Sequence, residues 1–148
     1  MRSFLVALSL CLALPSGAFA EVIRVKAAQA VDRTMDALEA AVTGAGATVF
    51  ARIDHAAGAQ SAGMDLGASQ VLVFGNPKLG TPAMQDDPLA GLYLPLKVLV
   101  YADPDGQVWL AYDDPAQVFG DLDIPADAAY LGAMAGGLRK LTGAAAGG

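Results

Sequence analysis

The sequence has one cysteine and one histidine in 148 residues, and these scarcities exclude several kinds of chemistry. Cys11 lies within the first twenty residues, so the rest of the chain has no thiol and forms no disulfide. Zinc sites gather several cysteine or histidine ligands, which a single histidine does not provide. The G-x-S-x-G motif of serine hydrolases is also missing. We therefore expect no cofactor, and the sequence shows no complete catalytic set.

Positive charge and long apolar runs are scarce as well. Nine basic residues stand against fifteen acidic ones, which gives a net charge of -6, or -7 without Arg2. An acidic surface repels phosphate backbones, so we expect no nucleic-acid partner. After residue 20, no run reaches the roughly 20 apolar residues that a membrane-spanning helix needs.

The first twenty residues have the pattern of a secretory signal peptide. Met1-Arg2 is a short positive start, residues 4–14 are apolar, and Ala18-Phe19-Ala20 is an A-x-A cleavage site. Cleavage after Ala20 predicts a soluble periplasmic or secreted protein that has no membrane contact once the signal is removed. The predicted organisation is a signal peptide over 1–20, a single domain over 21–142 and a disordered tail over 143–148.

Hydrophobic periodicity predicts strands and helices in alternation. Alternating or continuous apolar residues predict five strands, over Val22–Lys26, Thr48–Asp54, Gln70–Phe74, Leu96–Ala102 and Gln107–Asp113. We expect Gln70–Phe74 to be a central strand buried on both faces. Helical spacing predicts one helix through Val31, Met35, Leu38 and Val42 and a last helix through Tyr130, Met134, Leu138 and Leu141.

Two shorter helices complete the predicted order. Residues 56–69 form a connection with some helical character, and Thr81-Pro82 has the N-cap and first-turn pattern of a helix toward Leu89. The order β-α-β-(α)-β-α-β-β-α predicts a single α+β domain. Its sheet should be mostly antiparallel, with about five strands and with helices packed mainly on one face.

The turn Asp103-Pro104-Asp105-Gly106 predicts a hairpin and fixes its register. With a glycine bulge, Tyr101 should face Trp109, Leu99 should face Ala111, and Lys97 should face Asp113. These side chains share one sheet face, while the alternate residues form the core face. Lys97 and Asp113 are then either a surface pair or the polar walls of a pocket beside Tyr101 and Trp109.

Four stretches together resemble a known bacterial family, the domain of unknown function 302. They are F-A-R-I-D-H-A-A-G-A from Phe50, F-G-N-P-K-L-G-T-P-A-M-Q from Phe74, L-P-L-K-V-L-V-Y from Leu94 and V-W-L-A-Y-D-D-P from Val108. The resemblance implies a compact α+β domain and no established activity. The residues that match the family's motifs are Asp54, His55, Gly75, Asn76, Pro77, Gly80, Thr81, Met84, Gln85, Lys97, Trp109 and Tyr112.

Asp54 and His55 are the candidate catalytic residues. His55 could act as a general base that Asp54 orients, which would suit a hydrolase or an isomerase. In the alternative interpretation, Asp54 caps the next turn and His55 bonds across a loop. A copper site could use His55 with Met64 and Met84, although methionines at such spacings more often fill a core.

The loop from Gly75 to Thr81 supplies the candidate ligand-binding residues Asn76, Lys78 and Thr81. It precedes a helix, where free backbone N–H groups attract anions, but it is not a G-x-x-x-x-G-K-[ST] loop. Together with Lys97, Tyr101, Trp109 and Asp113, these residues favour a binding module over an enzyme or a metal-handling protein. The expected partner is a small ligand, another protein or a second copy of the chain.

Overall fold

The computed structural model describes residues 22–147, so the proposed signal peptide lies outside the described residues. The strands are β1 (Val22–Ala27), β2 (Thr48–Asp54), β3 (Ser69–Gly75), β4 (Leu96–Ala102) and β5 (Val108–Asp113). The helices are α1 (Val31–Gly44), α2 (His55–Ser61), α3 (Pro77–Asp86), α4 (Pro115–Val118) and α5 (Ala129–Gly147), with a 3₁₀ turn at Pro88–Leu92. The strands form one antiparallel sheet in the order β1-β5-β4-β3-β2, which confirms the predicted α+β fold.

Helices α1 and α5 cover one face of the sheet. The predicted stripe of α1 is buried as its spacing requires, with Met35, Leu38 and Val42 fully inaccessible. These side chains pack on the alternate residues of the sheet, among them Val98 and Leu110, which are also fully buried. This face is the main core of the domain.

The opposite sheet face remains partly open. Val71, Val73 and Leu99 on this face are half-buried, and Ile53 on the edge strand is 46 % exposed. The burial of β3 therefore alternates, so the expectation that both of its faces are buried was wrong. β3 is also second from the sheet edge, and β4 is the central strand.

The hairpin between β4 and β5 has the predicted register. Tyr101 pairs with Trp109 and Leu99 pairs with Ala111. Gly106 has a positive φ of 82°, and its N–H donates to the Asp103 carbonyl at 2.9 Å. Gly106 thus supplies the left-handed residue that the turn needs.

Two predicted boundaries were wrong. Helix α3 begins at Pro77 and not after Thr81, because Asn76-Pro77 already supplies an N-cap and a first-turn proline. Pro82 consequently lies inside the helix. The tail expected to be disordered from residue 143 continues α5 as far as Gly147, where three alanines favour helix and Ala145 is only 1 % exposed.

A polar network joins α1 to the edge of the sheet. The Arg52 guanidinium contacts Asp36 at 2.6 Å and Glu39 at 3.4 Å, and its Nε donates to Gln70 at 2.9 Å. The buried Gln70 amide in turn donates to Asp32 at 2.6 Å. The network holds β2 and β3 against the polar side of α1.

None of the helices in residues 22–147 is long and apolar enough to cross a membrane.

Candidate functional site

A cleft of about 390 Å³ opens between α3 and one end of the sheet. We call it the α3 cleft. Its wall residues come from β2, the β3–α3 junction, α3 itself, the segment that enters β4, and α5. They are Phe50, Gly75, Asn76, Pro77, Leu79, Gly80, Thr81, Met84, Leu94, Pro95, Leu96 and Met134.

Helix α3 is held over the cleft by a second, smaller core. Ala83 is the only buried residue of the helix, and it packs with Ala90, Phe119 and Met134. Met134 is 2 % exposed and also lines the cleft. The small core therefore fixes α3 through Ala83, with Leu79 packed against it, while Leu79 and Met84 also line the cleft.

Phe50 reaches the cleft because β2 contains a bulge. Val49 pairs with Phe74 and Ala51 pairs with Val73, so Phe50 is the extra residue. Its ring is 57 % exposed, which is unusual for phenylalanine in the middle of a strand. The bulge re-aims this aromatic side chain from the regular alternation of the strand toward the mouth of the cleft.

Gly75 and Gly80 leave space in the cleft walls. A Cβ atom at Gly75 would lie 3.4 Å from Phe50 Cε2 and 3.6 Å from Pro95 Cβ. A Cβ at Gly80 would lie 3.5 Å from Leu94 Cδ1. These are ordinary van der Waals distances, so alanine would fit at either position and would fill part of the cleft.

The first turn of α3 satisfies its own backbone donors. The Lys78 N–H donates to Asn76 Oδ1 at 3.0 Å, and the Leu79 and Gly80 N–H groups donate to the Asn76 carbonyl at 2.9 and 3.0 Å. Pro77 has no N–H group. The start of α3 therefore has few of the free N–H groups that the sequence suggested for binding an anion. The exposed Lys78 does not line the cleft.

The chemistry of the α3 cleft is neutral. Asn76 and Thr81 are the only polar residues among the twelve that line it, and none of the twelve carries an ionisable side chain. A general acid or base must reach the reacting proton. This lining therefore supplies hydrogen bonds and apolar surface, but no acid–base catalyst.

Lys97 and Asp113 lie together at a separate, smaller cleft of about 40 Å³. Both side chains are exposed, and the ion pairs within 4 Å among residues 22–147 are those of Arg52. The charged pair thus shares a sheet end, as the register implied, without forming a direct salt bridge. Neither residue lines the α3 cleft.

Tyr101 and Trp109 form a different cluster with Arg24 of β1. The Arg24 guanidinium lies 4.3 Å from the Trp109 ring centre and 5.7 Å from that of Tyr101. The Trp109 indole donates to Asp103 Oδ2 at 2.8 Å. This bond, followed by those from the backbone of Gln107 and Asp105, lowers the pKa of Asp103 below its usual value. Sequence analysis did not identify Arg24 as part of this cluster.

Asp54 and His55 lie at the far end of β2. Asp54 is the N-cap of α2 and accepts the Ala57 N–H at 2.9 Å, as the alternative interpretation expected. His55 is exposed in the first turn of that helix. Asn76 lies at the opposite end of β2, because it follows Gly75 of β3, which pairs with Thr48. About 20 Å of strand separates that end of β2 from His55.

The copper hypothesis receives no geometric support from this arrangement. Met84 lines the α3 cleft, whereas Met64 follows α2 and is 62 % exposed. Met84 therefore lies at the cleft, whereas His55 follows the far end of β2. Residues 22–147 contain no group of three or more histidine, cysteine, aspartate or glutamate side chains that could hold a metal ion.

Of the residues proposed from sequence, the α3 cleft brings together Asn76, Thr81 and Met84. Sequence reasoning missed most of the apolar wall, since its members come from four separate segments. One signal was available at Phe50. In T-V-F-A-R-I-D, Phe50 alternates with Arg52 and Asp54, so a regular strand would place it on the same face as these two charged residues. An aromatic residue in that position indicates either an exposed side chain or a bulge.

Part of the chain is similar to larger proteins of Brucella. It is 40% identical over 95 residues to a protein named fluoride-specific ion channel FluC 1 from Brucella suis biovar 1 (strain 1330). A protein of the same name from Brucella abortus biovar 1 (strain 9-941) is also 40% identical over 95 residues. The matches cover 64% of this chain but only 37% and 35% of those proteins. The chain thus spans about a third of the length of these relatives.

The fold is similar to that of a solved bacterial protein and matches a family model. The crystal structure of an uncharacterised conserved DUF302 protein from Bacillus stearothermophilus superimposes with a TM-score of 0.69 at 22% identity. The alignment covers 84% of this chain and 94% of that one. The model for the domain of unknown function DUF302 matches residues 23–141, which is most of the chain and includes the walls of the α3 cleft. The chain therefore belongs to the DUF302 family.

Proposed function

We propose that the chain is an exported binding domain whose α3 cleft holds a small apolar molecule. The observation that carries the proposal is the lining of the cleft, which is apolar apart from Asn76 and Thr81. Its volume of about 390 Å³ lies within the range usual for small-molecule sites. The signal-peptide pattern of residues 1–20 supports export to the periplasm or the medium.

Binding is favoured over catalysis because the cleft and the titratable candidates are in different places. Asp54 and His55 lie at the other end of β2, and Lys97 and Asp113 line the smaller cleft. A substrate in the α3 cleft would therefore meet no side chain able to exchange a proton. The channel named in the Brucella relatives is not proposed as the activity, since the match spans only about a third of them.

A fragment screen by NMR tests this proposal on the exported product of the full chain. The library should contain neutral, cationic and anionic fragments in equal numbers, with binding read from shifts of the backbone amide signals. We expect neutral fragments to shift the amides of Gly75, Leu79, Gly80 and Leu96. The prolines of the cleft have no amide signal and report nothing.

Two variants on the same strand provide a matched control. Phe50 and Ile53 are both exposed on β2, at 57 % and 46 %, but only Phe50 lines the cleft. Phe50→Ala should weaken fragment binding severalfold, and Ile53→Ala should leave it unchanged. The proposal is wrong if the hits cluster around His55 or Lys97, or if no fragment shifts the cleft amides.

A further inference from the structure

We propose that the ligand of the α3 cleft is a neutral molecule with an apolar body and a carbonyl-type hydrogen-bond acceptor, which the side-chain amide of Asn76 binds. This inference rests on the proposed function, because it specifies the chemistry of the same cleft. Three observations carry it: the fixed orientation of the Asn76 amide, the absence of charge in the lining, and the size of the cleft.

The N-cap fixes the orientation of the Asn76 side chain. The oxygen Oδ1 accepts the Lys78 N–H at 3.0 Å, so the other branch of the amide is the NH₂ group. Asn76 is half-buried and lines the cleft. Within residues 22–147, the Nδ2 amide group donates no hydrogen bond, and the side-chain bond of Asn76 is the one that Oδ1 accepts. Asn76 therefore presents a donor, which selects an acceptor on the ligand.

The surroundings select a neutral acceptor. No lysine, arginine or histidine lines the cleft, and the first N–H groups of α3 already have partners. A carboxylate or phosphate would lose its hydration without gaining an opposite charge, which costs more than one hydrogen bond returns. A ketone, ester or amide oxygen needs only the donor that Asn76 has, and the Thr81 hydroxyl is the other polar group of the lining.

The size of the cleft limits the apolar body. The volume of about 390 Å³ lies near the lower end of the roughly 300–1,000 Å³ that small-molecule sites have, which favours a small ligand. Leu79, Leu94 and Met134 supply apolar walls, and the exposed Phe50 ring at the mouth can stack on a flat group. A molecule the size of two phenyl rings joined by a carbonyl fits this description.

Benzophenone and diphenylmethane are suitable probes because they differ only in a carbonyl that replaces a methylene. Their association constants are measured by NMR titration with the exported protein and with Asn76→Asp. Aspartate caps a helix as well as asparagine does, so the fold and the thermal midpoint should be retained. However, the aspartate places a second oxygen where the NH₂ group was. We expect the association constant of benzophenone, divided by that of diphenylmethane, to be roughly three- to tenfold lower in Asn76→Asp than in the parent protein.

The possible outcomes separate this inference from the function on which it rests. An unchanged ratio would show that Asn76 does not bind the carbonyl, and the inference would fail while cleft binding stands. Tighter binding of 4-benzoylbenzoate, a charged relative of benzophenone, would overturn the neutral class. If none of the probes and no fragment shifts the cleft amides, the proposed function fails as well. Shifts of these amides on changing protein concentration alone would identify a second copy of the chain as the occupant and would overturn the proposal.

Discussion

Tyr112 carries a polar atom that the core does not satisfy. The residue is 4 % exposed on β5, and its hydroxyl has no hydrogen-bond partner within residues 22–147. An unpaired buried hydroxyl costs free energy that a phenylalanine would avoid. The ring of Tyr112 therefore stabilises the core, whereas its hydroxyl does not.

Tyr112→Phe should leave the free energy of unfolding unchanged or raise it by up to about 1 kcal/mol, because it removes only the unpaired hydroxyl. Urea denaturation at neutral pH measures the change. Tyr130→Phe is the contrasting variant, since the Tyr130 hydroxyl donates to Asp86 at 2.7 Å. A fall of more than 1 kcal/mol in Tyr112→Phe would show that the hydroxyl has a partner after all.

Asn76 and Thr81 illustrate how far single residues can be interpreted from sequence. Each is followed by proline, so Asn76-Pro77 and Thr81-Pro82 both have the pattern of an N-cap and a first helical residue. The structure uses the first pair, and the helix continues through the second. A proline in the sixth position of α3 leaves one carbonyl without its helical donor, a cost that sequence rules take as evidence against such a helix. The helix continues nonetheless through Ala83, which is fully buried in the small core.

Among the elements, the hairpin was the most predictable and the α3 cleft the least. The hairpin depends on four consecutive turn residues and on strict alternation, so its register follows from local geometry alone. The cleft depends on a bulge at Phe50, a junction at Gly75, a segment near Leu94 and one turn of α5 at Met134. No local pattern relates these four places to one another. Their meeting is a property of the tertiary structure.

Helices α3 and α5 are joined at their ends by a side-chain bond. The Tyr130 hydroxyl near the start of α5 donates to the Asp86 carboxylate at the end of α3, at 2.7 Å. Desolvation, and then this hydrogen bond and the charge of Asp86, raise the pKa of Tyr130 to about 12. The neutral phenol is thus favoured in the folded state. The resulting stabilisation is complete below about pH 10, the unfolded pKa, and is lost as the pH rises through about 12.

Titration of the tyrosines by near-ultraviolet absorbance measures this pKa. The difference in absorbance between the parent protein and Tyr130→Phe, followed against pH, should show one ionisation centred at about pH 12. Circular dichroism at each pH establishes that the fold persists. A difference centred near pH 10, with the fold intact, would mean that Tyr130 is neither desolvated nor bonded to Asp86 in solution.

At the scale of the whole molecule, the two sheet faces have different roles. The face under α1 and α5 contains the main core, and the sequence predicted its residues because burial there follows simple periodicity. The other face is half-open and carries the Arg24 cluster with Tyr101 and Trp109. The candidate residues from the sequence are spread over this face, the smaller cleft, the start of α2 and the α3 cleft. A sequence identifies polar residues at strand ends, but it does not show which ends adjoin a cavity.

The α3 cleft also has a cost for the stability of the molecule. Glycine inside a helix is less stable than alanine by about 1 kcal/mol, yet Gly80 lies inside α3 where a Cβ would narrow the cleft. Gly137 lies inside α5, where a Cβ would meet nothing within 4 Å. The two glycines are therefore a matched pair that differs in contact with the cleft.

The affinity of Gly80→Ala for benzophenone, compared with that of Gly137→Ala, tests the central claim most directly. Both variants should raise the thermal midpoint by a few degrees, because alanine favours helix. Gly80→Ala should bind benzophenone roughly tenfold more weakly, because its methyl group occupies space that the ligand needs, while Gly137→Ala should bind as the parent protein does. Equal affinity in all three proteins, with both variants folded and stabilised, would contradict the claim that the α3 cleft is the ligand site.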